Sequence, residues 1–237
     1  MKSPKEIGNW YNSFSKKQLK TGINLRHYRI MDFLIESGLQ KNSNVLEVGC
    51  GIGTLTNLIC KYISKGTIDA IDISSGSIDI LKKRLYRYKQ LEASALDILN
   101  FKSSKIYDFI ILPDVLEHIP IQKHQELFNL FSKHMNQEST ICINIPHQKA
   151  LDFIRMTNPN KLQIIDQSLD LKDLLNNIYP NNLMLINYIS YSLFSNENDY
   201  IFISLKKNKE VTLTKLPKSK IILRKLLFRL KFLFSRM

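Results

Sequence analysis

Cysteine is scarce in this chain: Cys50, Cys60 and Cys142 are the only three, and no two form a CxxC pair. That argues against a disulfide framework or a zinc-thiolate site and fits thiols kept reduced in a cytoplasmic setting. Long hydrophobic runs are missing as well. No stretch approaches the ~20 apolar residues of a membrane-spanning helix. The opening Met1-Lys2-Ser3-Pro4-Lys5-Glu6 leads into no apolar core of a signal peptide. The expected location is therefore the cytoplasm. Repeats and low-complexity segments are not evident either. Apolar residues make up 44% of the 237 positions and charged ones 23%, the balance of a soluble globular chain long enough for one domain with a full core.

Acids are outnumbered, 21 Asp and Glu against 34 Lys and Arg, for a net charge of +13. The excess is local. From Lys206 onward there are 11 Lys and Arg and one acid, Glu210, or +10; the first 205 residues hold 23 against 20, or +3. The body is nearly neutral and the tail carries the charge, so the two need separate readings.

Along the body, helical stripes alternate with short β-rich runs. Residues 5–20, with Trp10, Tyr11 and Phe14, predict a short helix, and 25–37 a longer one stopped by Gly38. Strands are expected at 44–48, 67–73, 91–98, 107–113 and 139–146. Helices are expected between them at 54–64, 74–88 and 123–135, the second opened by Ser74 or Ser75 as N-cap. Strands separated in this way imply right-handed crossovers and a parallel sheet covered on both faces. A helix-rich insertion at 147–178 follows, then strands at 183–194 and 199–205. Ser195-Asn196-Glu197-Asn198 joins these two as an antiparallel hairpin, which makes seven strands.

Three of the chain's eight glycines, Gly49, Gly51 and Gly53, fall within five residues between the first strand and the next helix. Glycines there allow a sharp turn and a close approach of backbone to ligand, beside a helix N-terminus. Two phosphate-binding patterns fail on spacing. A dinucleotide fingerprint needs glycine where Thr54 stands, and a P-loop needs a Gly-Lys-Ser/Thr ending that is missing. Asp72, at the tip of the second strand, is placed to accept hydrogen bonds from both hydroxyls of a ribose, or else caps the next helix. Asp97, closing the third strand, suits a purine amine or is a plain turn residue.

In these residues the chain resembles the class I S-adenosylmethionine-dependent methyltransferases. The run from Val45 to Thr54 is similar to their first motif, with Asp72, Asp97 and residues 113–120 at the expected stations. The resemblance covers roughly residues 20–146, and the final hairpin fits as well. It implies an α/β fold: a Rossmann-like, seven-stranded, mostly parallel sheet with helices on both faces and a terminal antiparallel hairpin. It implies S-adenosyl-L-methionine as cofactor, cradled by Glu47, Gly49, Cys50, Gly51 and Gly53. Asp72 and Ile73 would hold the ribose end, Asp97 and Ile98 the adenine, and Pro113 would present its carbonyl near the sulfonium. Arg26 is expected to pair with the cofactor carboxylate, as a guanidinium does bidentately, or to be a surface residue. No metal is implied.

The sulfonium is already an activated methyl donor, so the protein must align the acceptor and, for a hydroxyl, remove its proton. His118 is the leading candidate base, with His147, bordering the same cleft opening, and Asp114 behind it; His118 could instead cap or pack a helix start, and Asp114 could be a simple N-cap. Nucleic-acid acceptors are disfavoured. Leu112-Pro113-Asp114-Val115 lacks the Pro-Pro-aromatic run of adenine amino-methylating enzymes, and no cysteine stands there to attack a pyrimidine. The expected acceptor is a small molecule, lipid or glycan, methylated on oxygen. The alternatives are an RNA methyltransferase and a non-catalytic cofactor-binding protein.

The organisation expected is a helical lid (1–40), a methyltransferase domain (41–207) with its insertion, and a basic tail (208–237). On a helix of about 100° per residue, Ile222, Leu223, Leu226, Leu227, Leu230, Leu233 and Phe234 share one arc. Lys220, Arg224, Lys225, Arg229, Lys231 and Arg236 take the opposite half. This pattern suits a helix lying on an anionic membrane surface, peripheral on its inner face. Docking onto its own domain, or a nucleic-acid arm, would use the same residues.

Overall fold

β-branched and aromatic runs alternate with helical stripes, and that alternation sets the order of elements. A computed structural model describes residues 18–163, 165–210 and 213–234. Its strands are β1 (Val45–Val48), β2 (Ile68–Asp72), β3 (Leu91–Ala95), β4 (Tyr107–Pro113), β5 (Met135–Pro146), β6 (Leu183–Tyr191) and β7 (Tyr200–Lys207). The α-helices are α1 (Leu25–Glu36), α2 (Thr54–Tyr62), α3 (Ser75–Leu85), α4 (His124–Lys133), α5 (Gln148–Thr157), α6 (Leu171–Ile178) and α7 (Lys218–Phe234). The strands make one sheet in the order β3-β2-β1-β4-β5-β7-β6. The first five run parallel, and β7 lies antiparallel to both β5 and β6. This is the Rossmann-like sheet with its terminal hairpin.

The period of two along β4 and β5 divides the core. Phe109, Ile111 and Cys142 face a layer built from Ile30, Phe33 and Leu34 of α1 and Leu55 and Ile59 of α2. Ile110, Leu112, Ile141 and Ile143 face the other layer, with Leu127, Phe128 and Phe131 of α4. α1 is thus bound into the core. It begins at Asn24, whose side chain accepts the Arg26 amide while His27 Nδ1 accepts the Asn24 amide, and it stops at Gly38 with φ +102°. Strand order reverses between β1 and β4, which opens a crevice at the carboxyl ends of the strands, where ligands bind in open α/β sheets.

Several boundaries differ from the sequence expectation for local reasons. β3 stops at Ala95 rather than 98, because the Leu96 amide turns to the Asp72 carbonyl and Asp97 opens a 3-10 turn, Ile98–Asn100. The fourth helix ends at Lys133, and the fifth strand begins at Met135 rather than 139. The extra residues are absorbed by a bulge where Asn136 Oδ1 accepts the amides of Glu138 and Ser139. The helix expected at 5–20 lies mostly outside the described residues; 18–21 are helical. Among the described residues no helix is long and apolar enough to cross a membrane.

Phe33 anchors α1. Its ring stacks on Phe202 at 4.4 Å between centroids, meets Tyr191 edge-on, and carries the Arg29 guanidinium 3.9 Å above it. Phe33→Ala should lower unfolding free energy by about 3–5 kcal/mol, read as a drop in the urea midpoint at unchanged slope. Wild-type stability would show that α1 is not held by this contact.

Candidate functional site

The crevice beyond β1, β2 and β4 is a cavity of about 510 Å³. Its floor is the turn after β1. Gly49 is there with φ +74°, and a Cβ on it would come within 2.2 Å of Val115 Cγ2, so no other residue fits without moving the loop after β4. Gly53 serves differently. It starts α2 at φ +80°, and its Cβ position lies 2.8 Å from Leu81 and 2.9 Å from Leu85. It is a packing glycine facing α3 and does not line the cavity, which corrects its expected cofactor role.

Asp72 joins the turn to β2. One carboxylate oxygen accepts the Gly51 amide at 2.8 Å and the other the Ser74 amide at 2.8 Å. Burial raises its pKa, and these two amides pull it back. A carboxylate has about four acceptor sites, so two further hydrogen bonds are open to it. The helix cap is Ser74, which accepts the Ser77 amide at 3.0 Å. Ile73, Asp97, Ile98 and Pro113 line the cavity too. Asp97 is also a turn residue, with one oxygen accepting the Leu99 amide at 3.0 Å.

Glu47 is fully buried beneath the turn, and neither of its oxygens has a hydrogen-bond partner among the described residues. Burial pushes its carboxyl up to about 8, with the Thr56 hydroxyl pulling weakly the other way and the Asp72 charge adding to the rise. An unpaired buried carboxyl is costly, and here it faces a cavity. Cys50 lines the cavity as well, and burial raises its thiol far from ionisation.

On the opposite wall, Arg26 Nε lies 3.1 Å from Asp114, and its NH1 donates to the Tyr200 hydroxyl at 3.1 Å. The Asp114 charge is the main reason the guanidinium is held firmly protonated. Asp114 sits in the left-handed region, φ +57°, and accepts from Asn144 Nδ2 at 3.0 Å, while Asn144 takes the Tyr191 hydroxyl. It is neither an N-cap nor a free base. His118 also lines the cavity. Its Nδ1 is 3.1 Å from Asp166 and in contact with the Ile165 carbonyl, and its Nε2 is 3.8 Å from Glu117. Burial opposes charge on the ring, but Glu117, Asp166 and that carbonyl outweigh it and raise the pKa to about 9. These neighbours favour the protonated ring, and Asp166 and the Ile165 carbonyl occupy Nδ1, so His118 is poorly placed to accept a proton. His147 does not line the cavity. It caps α5 by accepting the Lys149 amide at 3.2 Å, which removes it as a candidate base.

Asp166 and Gln167 carry no sequence signal, because they lie in the insertion 48 and 49 residues beyond His118. Gln167 ties that insertion to the loop after β4: its amide donates to the Glu117 carbonyl at 3.0 Å and its Nε2 to that of Ile119 at 2.7 Å. Tyr200, Asn144, His27 and Gln163 were likewise not singled out. Among the described residues no group of three or more His, Cys, Asp or Glu could hold a metal ion.

Two outcomes test this geometry. Glu47 has a raised folded-state pKa, so its ionisation costs stability above the unfolded value near 4.5 and up to about 8. Glu47→Gln should raise the apo unfolding free energy at pH 8 by about 1–3 kcal/mol, seen as a higher thermal midpoint, while weakening S-adenosylmethionine binding about tenfold or more in calorimetry. A stabilised variant that binds as wild type would leave Glu47 without a ligand role. For His118, ring-proton NMR should give a titration midpoint near 9, and Asp166→Asn should lower it by about 1–3 units. An ordinary midpoint in the wild type would refute the pairing.

Known proteins share this segment and this fold. Residues 46–141 match the family described as "Methyltransferase domain". The chain is 32% identical to a malonyl-[acyl-carrier protein] O-methyltransferase of Priestia megaterium, over 44% of this chain and 43% of that protein. It spans less than half the length of the curated relatives it matches. Among solved structures, magnesium protoporphyrin IX methyltransferase from Synechocystis with bound S-adenosylhomocysteine superposes with a TM-score of 0.69 at 13% identity. That match covers 86% of this chain and all of that one. The N-methyltransferase NodS from Bradyrhizobium japonicum, in complex with S-adenosylhomocysteine, gives 0.61 at 16%, over 78% and 86%. The sheet thus has the fold of these methyltransferase structures, and residues 46–141 resemble the methyltransferase domain.

Proposed function

We propose that the chain is an S-adenosylmethionine-dependent methyltransferase, that it acts on an oxygen of a small-molecule, lipid or glycan acceptor, and that the oxygen belongs to a carboxylate. The observation that carries the acceptor class is the pairing of His118 with Asp166 and the Ile165 carbonyl. A hydroxyl must lose a proton as it attacks, and these neighbours favour the ring that already holds one. Asp114 is engaged by Arg26 and Asn144. A carboxylate arrives ionised and needs alignment without a base. The O-methyltransferase activity of the malonyl-[acyl-carrier protein] relative supports this reading.

The cofactor supplies an activated methyl group on a sulfonium. Unpaired Glu47 suits its ammonium, the amides at Gly49, Cys50 and Gly51 suit the methionine portion, and Asp72 with Ile73 suits the ribose. Asp97 and Ile98 suit the adenine, and the Pro113 carbonyl borders the sulfonium side. Arg26 keeps guanidinium N–H groups beyond those given to Asp114 and Tyr200, enough for the cofactor carboxylate. His118, with Ile119 and Lys123 on the same wall, orients the acceptor and keeps a cationic donor beside it.

Incubation with methyl-labelled S-adenosylmethionine and fractionated cell extract tests the reading. Label should enter small acids or acyl conjugates and be released as methanol by mild alkali, as a methyl ester requires. Alkali-stable label on nitrogen, the chemistry of the NodS comparison, or label in RNA would overturn it.

A further inference from the structure

We propose that α7 is a docking element for an anionic lipid surface. The inference is independent of the acceptor reading, since no residue of α7 lines the cavity. From Lys218 to Phe234 the helix carries six Lys and Arg and no acid, and ten of its 17 residues are apolar. Its apolar side chains from Ile221 to Leu233 are half exposed or more, among them Ile222 at 59%, Leu226 at 50%, Leu230 at 51% and Leu233 at 63%. Residues 213–217, which lead into it, are exposed. Docking onto its own domain, another reading open from the sequence, would bury this arc rather than expose it.

Two candidate surfaces would pair with so cationic a helix, and the apolar arc chooses between them. A nucleic-acid arm has no use for a continuous face of Ile222, Leu223, Leu226, Leu227, Leu230 and Leu233, because phosphate contacts need only the cations. A bilayer interface uses both, with the arc in the acyl boundary and the lysines toward anionic headgroups. The basic half is less pure than the sequence projection suggests, since Ile221, Phe228 and Phe232 lie within it. Residues Arg224 and Lys225 bracket them, and long cationic stems of this kind reach from an apolar bed to the headgroups. The helix thus suits a position at headgroup depth, its axis along the surface. At about 1.5 Å per residue it is roughly 26 Å long. Its six charges rule out a spanning role.

Sedimentation of the full chain with vesicles tests this. It should pellet with phosphatidylcholine mixed with phosphatidylglycerol, and roughly tenfold or more weakly with phosphatidylcholine alone or at raised salt. Replacing Lys220, Arg224, Lys225, Arg229 and Lys231 together with Gln should abolish the preference for anionic vesicles. Leu226→Ser with Leu230→Ser should release the protein from both kinds. All seven side chains are exposed, so the thermal midpoint of the sheet should not change, and circular dichroism checks this. Failure to pellet with anionic vesicles, equal binding to both compositions, or binding that survives either set of substitutions would overturn the proposal. So would capture of RNA without vesicle binding.

Discussion

The Asp72 carboxylate, with Gly51 N–H on one oxygen and Ser74 N–H on the other, is the contact on which the cavity depends. β1 and β2 pair side by side in the sheet, and the Gly49 and Cys50 amides carry that pairing just past β1 by donating to the Ile71 carbonyl at 2.7 and 3.0 Å. Beyond them, Asp72 fixes the rest of the turn to the neighbouring strand tip. Two further restraints act on the same turn: Val115 packs into the space above Gly49, and Arg84 NH1 donates to the Ile52 carbonyl at 2.6 Å. The turn is thus gripped from β2, from the loop after β4 and from α3, so the floor of the cavity is set before any ligand arrives. Preorganisation of this kind lowers the ordering cost of binding.

The cavity walls differ in how their charges are matched. On the α1 side, Arg26 and Asp114 neutralise each other and are steadied by Tyr200 and Asn144. On the insertion side, His118 lies between Glu117 and Asp166, and one proton on the imidazole offsets part of two buried carboxyls. On the floor, Glu47 has no such partner. A buried charge is tolerable when paired and expensive when alone, so the floor is where a cationic ligand group gains most. Stability and binding therefore pull in opposite directions at Glu47, a trade common at functional sites.

Charge is segregated on the scale of the whole chain as well. The sheet domain is nearly neutral, and its chemistry is local. The tail concentrates the excess cations on one exposed helix. A field of one sign on an exposed element steers the protein toward an oppositely charged surface.

The sequence by itself determined the alternation of strands and helices, the seven-stranded sheet, the terminal hairpin, and the placement of Glu47, Gly49 and Asp72 around one turn. These follow from periodicity and short spacings, which are local properties of the chain. Only the tertiary structure decided that Gly53 faces α3, that Asp114 belongs to Arg26, and that His118 is paired with Asp166. Each of those outcomes depends on partners from 28 to 88 residues away in the chain, such as Asp166 in the insertion and Arg26 in α1. A side chain's role in catalysis depends on its protonation state, and that state is set by neighbours which only folding brings within a few ångströms.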